Sequence, residues 1–291
     1  MKNILLLFLT ILICACSSTK QVTETMPNKS VEKVEVVNDS TLENNKNTIV
    51  SEEILKDSIE KKPELTSKHY NRGLLKEAIK VHKLWNELLQ KYVSDNGNVN
   101  YSGLKKEHLK LNNYIKSLNL ALPNETHTKE FTLAFWINAY NAMTIDLVLR
   151  HYPVKSIKDI KAPWQQRYWE LGEKWYNLED IEHQILRKMD EPRIHFAIVC
   201  ASISCPKLLN EAYTAENLEL QLTNATKDFL SDTNRNFISK DKLELSKIFK
   251  WFGSDFTKNG SLIDFLNLYS TIEISKKATK SYKDYNWDLN E

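Results

Sequence analysis

The sequence carries no dense block of basic residues. Its 40 Lys and Arg stand against 38 Asp and Glu, for a formal net charge of +2. The electrostatic footprint of a nucleic-acid-binding protein is therefore missing, and no nucleic-acid partner is expected. No internal repeat recurs, and a single long apolar run stands out, close to the N-terminus. That run, Ile4 to Ile13, is roughly ten residues long, about half of what a helix needs to span a bilayer. Cysteine is scarce: of four in the chain, Cys14 and Cys16 close the apolar run, which leaves Cys200 and Cys205 for the remainder. With His195 these two form no recognisable zinc spacing. No metal and no other cofactor is expected.

What is present begins with "MKNILLLFLTILICACSS". Lys2 followed by a short apolar run reads as a secretory signal. Ala15 directly before Cys16 resembles the lipobox of bacterial lipoproteins, in which the signal is cut before a cysteine that then carries the lipid. The expectation is a signal over residues 1–15, lipidation of Cys16, and a cell-envelope location reached through this membrane anchor. Ser17, by resemblance to known lipoproteins, points to the outer membrane. From Ser17 to about Lys68 the chain has no aromatic residue and no glycine and is rich in Lys, Glu, Asn, Ser and Thr. Such a segment buries too little to offset its chain entropy, so residues 16–68 read as a disordered tether. About 50 flexible residues have an end-to-end distance of roughly 40 Å.

Every aromatic residue except Phe8 lies from Tyr70 onward, so residues 69–291 are expected to fold as one domain. Helical spacing of apolar residues predicts a helix over 72–91 and another over 103–118. The segment 129–153, "KEFTLAFWINAYNAMTIDLVLRHYP", is apolar on nearly the whole helical circumference, which predicts a buried helix ended by Pro153. Asn138 and Asn141 project from one side of it and must find partners. They either bridge to neighbouring backbone or line a site. "RYWELGEKWYNL" reads as a hairpin around Gly172. Asn177 then caps a helix, with Asp180 in the third position. The apolar stripe of that helix (Leu178, Ile181, Ile185, Leu186, Met189) contains Glu182, which geometry sends inward, while His183 and Arg187 fall toward the polar side. A buried carboxylate needs a cation or several donors, or it takes up a proton. Glu182 is thus either a structural ion pair or a working acid or base.

Residues 194–200 read as a buried strand, "CPKLLNEAY" and "AENLELQLTNATKDFL" as helices, "NFISKDKLELS" as a hairpin turning at 240–242, and two closing helices follow. The fold class is α+β: a mainly helical single domain around a buried central helix, with a small sheet of hairpins and one core strand.

Four blocks, "FWINAYNA" (135–142), "LEDIEHQILR" (178–187), "RIHFAIVCASISCP" (193–206) and "WFGSDF" (251–256), resemble in content and order the bacterial and plant domain of unknown function 547. The likeness covers roughly residues 85–270. It implies fold boundaries and a site list, and supplies no reaction. Where that family usually has glycine after its first cysteine, this chain has Ala201, which would disfavour a loop requiring positive φ. A fainter likeness joins the buried helix and the His-led segment to transglutaminase-like and papain-like thiol folds. Those place a catalytic cysteine at the start of the buried helix, where this chain has Asn138.

Pro206 favours a helix start, which would set Cys205 at an N-cap, where amides and dipole stabilise a thiolate. Cys205 is then a nucleophile or redox thiol, a disulfide partner of Cys200, or inert core. In a regular strand His195 and Cys200 face opposite sides, and the strand ends lie roughly 16 Å apart. His195 therefore reaches Cys205 only if 201–204 folds back, and Glu182 is its expected neighbour. Two functions follow. One is a binding or structural lipoprotein with a polar Glu/His/Asn pocket for a ligand of unknown identity. The other is an envelope hydrolase or transferase acting on amide or ester bonds, with Cys205 as nucleophile, His195 or His183 as base, Glu182 as orienter and Asn138 or Asn141 near the oxyanion. A sealed pocket or a Cys200–Cys205 bridge favours the first; an open cleft joining Cys205 to a histidine favours the second.

Overall fold

The structure, a computed structural model, describes residues 81–291. The signal segment, the tether, Cys16 and the first part of the 72–91 helix lie outside the described residues. Among those described, the order is α1 (residues 81–92), α2 (Tyr101–Lys105), α3 (His108–Ser117), α4 (Lys129–His151), a hairpin β1 (Trp169–Leu171) and β2 (Lys174–Tyr176), α5 (Leu218–Ser231), β3 (Phe237–Ile238), β4 (Lys242–Leu245), α6 (Ile248–Trp251), α7 (Gly253–Phe256), α8 (Leu262–Asn267) and β5 (Thr279–Tyr282). This is the expected α+β, mainly helical arrangement.

Helix α4 is its axis. Thr128 caps it by accepting the Phe131 N–H, and every residue from Leu133 to Leu149 is buried. The all-round apolar pattern therefore has the consequence expected of it. One charge is carried into this core: Asp146, fully buried, accepts from His108 Nε2 (2.5 Å), Trp169 Nε1 (2.6 Å) and Arg150 Nε (2.7 Å). Three donors satisfy the carboxylate and tie α3 and β1 to α4.

The hairpin forms in the register Trp169↔Tyr176, with Gly172 at φ +63° supplying the turn. The second hairpin, β3–β4, also forms, and β5 adds to β4 in parallel. A second apolar cluster gathers Phe229, Phe249, Phe256 and Phe265 around Phe196, whose ring lies 5.1 Å from that of Phe229 and 5.6 Å from that of Phe256.

Three expectations are corrected. Residues 192–196 form a 3₁₀ turn, not a strand. Pro192 opens that turn, and Arg193 pairs with Glu191 at its cap (2.7 Å) and pins it to α5 by pairing with Glu219 (2.7 Å); an apolar run alone cannot distinguish a buried turn from a strand. Residues 206–213 form no helix, so Cys205 is not at an N-cap. The segment 178–189 is helical, and Asn177 Oδ1 accepts the Asp180 N–H (2.7 Å), but Asp180 does not close a capping box. Its carboxylate pairs with Arg167 instead (2.5 Å).

Ala201 adopts φ +58°, the left-handed conformation that alanine in place of glycine was expected to disfavour, so that expectation is corrected. Its side chain is fully buried. Relief of the strain in Ala201→Gly, about 1–2 kcal/mol, is offset by the glycine's chain entropy, about 0.5–1 kcal/mol, and by a lost buried methyl, about 0.8 kcal/mol. The expected result is a stability within about 1 kcal/mol of the parent in denaturant unfolding. Ala201→Val, β-branched at positive φ, should lose at least about 2 kcal/mol.

Candidate functional site

A cleft of about 270 Å³ opens beside α4. Tyr140 of α4 contributes to its wall. Residues 180–185 widen into a π-type turn, which reduces the angle between successive side chains, so that both Glu182 and His183 line the cleft. Wide turns of this kind recur at functional sites. His195 comes from the 3₁₀ turn, Cys200 and Cys205 from the loop after it, and Trp251 and Phe252 from the α6–α7 junction. Tyr285 and Trp287 arrive on the C-terminal tail, which is fastened to the loop by Ile203 N–H to Asp288 O (2.9 Å), Ser204 N–H to Asn286 O (3.2 Å) and Asn290 N–H to Ala201 O (3.2 Å).

Glu182, Cys205, His195 and His183 thus meet in one cleft. Asn138 and Asn141 do not. Asn138 bridges the backbone of Tyr213, donating to its carbonyl (2.8 Å) and accepting its N–H (3.0 Å). Asn141 donates to Ala197 O (2.9 Å) and accepts from Val199 N–H (3.0 Å). Both amides are occupied at both ends, and neither lines the cleft, so the reading of either as an oxyanion donor is corrected. Asn141 fixes the backbone that leads to Cys200.

His195 does not pair with Glu182. Its Nε2 lies 2.8 Å from Asp255 Oδ2, and its ring stacks on Phe252 at 4.0 Å. Asp255 also takes a two-pronged contact from Arg187, Nε to Oδ2 (2.6 Å) and Nη2 to Oδ1 (3.0 Å). Arg187 Nη1 donates to His183 Nδ1 (3.1 Å). Burial alone would raise the Asp255 carboxyl, but the bonds from His195 and Arg187 prevail and hold it well below the usual carboxylate range. An ionised Asp255 fixes the proton of neutral His195 on Nε2, leaving Nδ1 as the acceptor. Arginine only donates, so neutral His183 must carry its proton on Nε2. Asp255 was missed as a site residue because its partners lie 60 and 68 positions away, although it sits inside the "WFGSDF" block.

Glu182 is 8% exposed, and its hydrogen-bond partner is the Tyr140 hydroxyl (3.1 Å). Among the described residues no Lys, Arg or His forms an ion pair with it. Burial, reinforced by the neighbouring carboxylate, pushes the Tyr140 phenol well above its ordinary value, so it remains a donor. Opposite, three rings pack together: Trp251–Tyr285 at 4.8 Å, Tyr285–Trp287 at 4.6 Å and Trp251–Trp287 at 5.7 Å. The two cysteines are joined as a disulfide. The fold-back of 201–204, the condition for His195 to approach Cys205, occurs through a turn closed by Cys205 N–H to Ser202 O (3.0 Å), and it brings Cys205 into the cleft that His195 lines.

Residues 124–230 match the family model described as "Protein of unknown function, DUF547". The matched segment carries α4, Glu182, His183, His195 and both cysteines, whereas Asp255, Tyr285 and Trp287 fall beyond it. No curated protein and no solved structure matches the chain.

Proposed function

We propose that this is a ligand-binding domain on a lipid-anchored envelope protein, and that its cleft takes a small organic cation. The carrying observation is Glu182: a carboxylate more than nine-tenths buried, facing an aromatic-walled cleft, with a hydroxyl as its hydrogen-bond partner and no ion pair among the described residues. An unneutralised buried carboxylate is costly, and a ligand ammonium would offset that cost. Aromatic rings around the same space favour such a cation through their π faces. The cleft volume, about 270 Å³, suits a ligand of a few heavy atoms.

The test is calorimetric titration with choline against its neutral isostere 3,3-dimethylbutanol. Choline should bind at least about tenfold more tightly, a difference of about 1.4 kcal/mol. Glu182→Gln, which keeps shape and removes charge, should abolish the preference. Equal binding of the two probes, or an unchanged preference in the variant, overturns the reading.

A thiol hydrolase or transferase remains the second reading, favoured by Cys205 and His195 in one cleft, with Asp255 hydrogen-bonded to His195 from outside its wall. The bond to Cys200 occupies the proposed nucleophile, and for that reason binding is preferred. If a thiol-reactive probe labels Cys205 no faster than a free thiol after reduction, the hydrolase reading falls.

Anchoring rests on the lipobox-like Ala15-Cys16 and outer-membrane sorting on Ser17. A palmitate analogue should label the protein, and Cys16→Ala should abolish both the label and sedimentation with outer membranes. Label retained in that variant excludes Cys16 as the anchor.

A further inference from the structure

The disulfide lies in the wall of the cleft, and its two sulfurs are in different surroundings. Cys205 is 2% exposed, whereas Cys200 is half-buried. The Cys200 backbone N–H donates to Cys205 Sγ (3.0 Å). Tyr285 O–H and Ser202 O–H stand 3.3 and 3.4 Å from the same sulfur. The hydroxyls also approach Cys200 Sγ, each at 3.3 Å, but the backbone donor serves Cys205 alone. Two imidazoles line the same space. A disulfide kept only for stability needs none of these features: no adjoining cleft, no backbone donor aimed at one sulfur, no nearby base.

We propose that the Cys200–Cys205 bridge is a thiol–disulfide exchange centre that accepts electrons from a small thiol carrying an ammonium group. The incoming thiol gives its proton to a cleft imidazole; among the described residues His195 Nδ1 has no hydrogen-bond partner. The resulting thiolate attacks Cys200 Sγ, the more accessible sulfur. A bond forms between the ligand sulfur and Cys200, the Cys200–Cys205 bond breaks, and its electron pair leaves on Cys205. That thiolate is met by the Cys200 N–H, Tyr285 and Ser202. A second molecule of the thiol then attacks the ligand sulfur of the mixed disulfide, releasing the oxidised dimer of the ligand and the Cys200 thiol. Two thiols are oxidised and one protein disulfide is reduced. Burial pushes the Tyr285 phenol up to about 12, so it keeps the proton it donates. The exchange stands on the geometry of the two sulfurs; only the preference for a cationic thiol rests on the proposed cation binding at Glu182.

The experiment follows opening of the bridge in the oxidised full chain by cysteamine at neutral pH, with acid quench, alkylation, and peptide mass spectrometry at Cys200 and Cys205. Each rate is divided by that of an oxidised peptide of residues 200–205. The folded protein should open at least about tenfold faster than the peptide. Opening at or below the peptide rate overturns the proposal. Tyr285→Phe, its fold checked by thermal melting, should slow opening at least about threefold, since one of three donors to the leaving thiolate is lost; an unchanged rate overturns the role of Cys205 as leaving group. In Cys205→Ala the cysteamine adduct should accumulate on Cys200, and a failure of Cys200 to form it overturns the direction of attack. The normalised rate with 3-mercaptopropionate should be lower than with cysteamine. Equal normalised rates that both exceed the peptide's overturn the cation preference and support the exchange, so the two ideas fail separately.

Discussion

Asp255→Ala should destabilise the protein by about 3 kcal/mol, the lower end of the cost of breaking a partly buried ion pair. Asp255 is the common acceptor of His195 and Arg187. Its removal leaves the Arg187 guanidinium against the Phe252 ring, 5.3 Å from its centroid, without the carboxylate it pairs with. It also frees the His195 ring to take the other tautomer. Chemical denaturation measures the first effect. The second should appear as loss of any ligand affinity that depends on His195. A loss of stability below about 1 kcal/mol would show that Arg187 and His195 are held by packing alone.

The same residue sets a pH dependence. Its carboxyl is held below the ordinary carboxylate range, so between its folded and unfolded values the unfolded chain binds more protons. The stabilisation is therefore complete above the unfolded value, about 3.9, and is lost as pH falls through the folded value. The stability gap between parent and Asp255→Asn should narrow as pH falls below about 4.

Elements whose signal is local were legible in the sequence. The burial of α4 follows from apolar residues at every angle, the first hairpin from Gly172 between alternating aromatics, and the inward aim of Glu182 from its place in a 3.6-residue stripe. Illegible elements owe their form to partners distant in sequence. Residues 192–196 turn because Arg193 is clamped to Glu219, which no apolar pattern encodes. His195 takes Asp255, 60 positions on, in preference to the nearer Glu182. Glu182 and His183 share the cleft because the helix widens where they stand, which a regular 100° projection cannot anticipate. The aromatic wall comes partly from Tyr285 and Trp287, whose tail is ordered by backbone bonds to 201–204 and reads on its own as a polar terminus.

Asn141→Ala should cost about 4 kcal/mol. The truncation leaves the Val199 N–H and the Ala197 carbonyl buried without partners, at about 1–3 kcal/mol each, and adds a small cavity. Asn138→Ala should cost a similar amount through the two backbone groups of Tyr213. The two variants differ in where the damage lands. Tyr213 is not in the cleft wall, whereas Ala197 to Val199 lead directly into Cys200. Under conditions where both variants remain folded, Asn141→Ala should alter access to the Cys200–Cys205 bridge, read as its rate of opening by a small thiol, and Asn138→Ala should leave that rate near the parent value. Had either amide been a working group of the cleft, its loss would remove function with little loss of stability. The bridging geometry predicts the reverse order: stability falls first in both, and the cleft changes only where the freed backbone belongs to it.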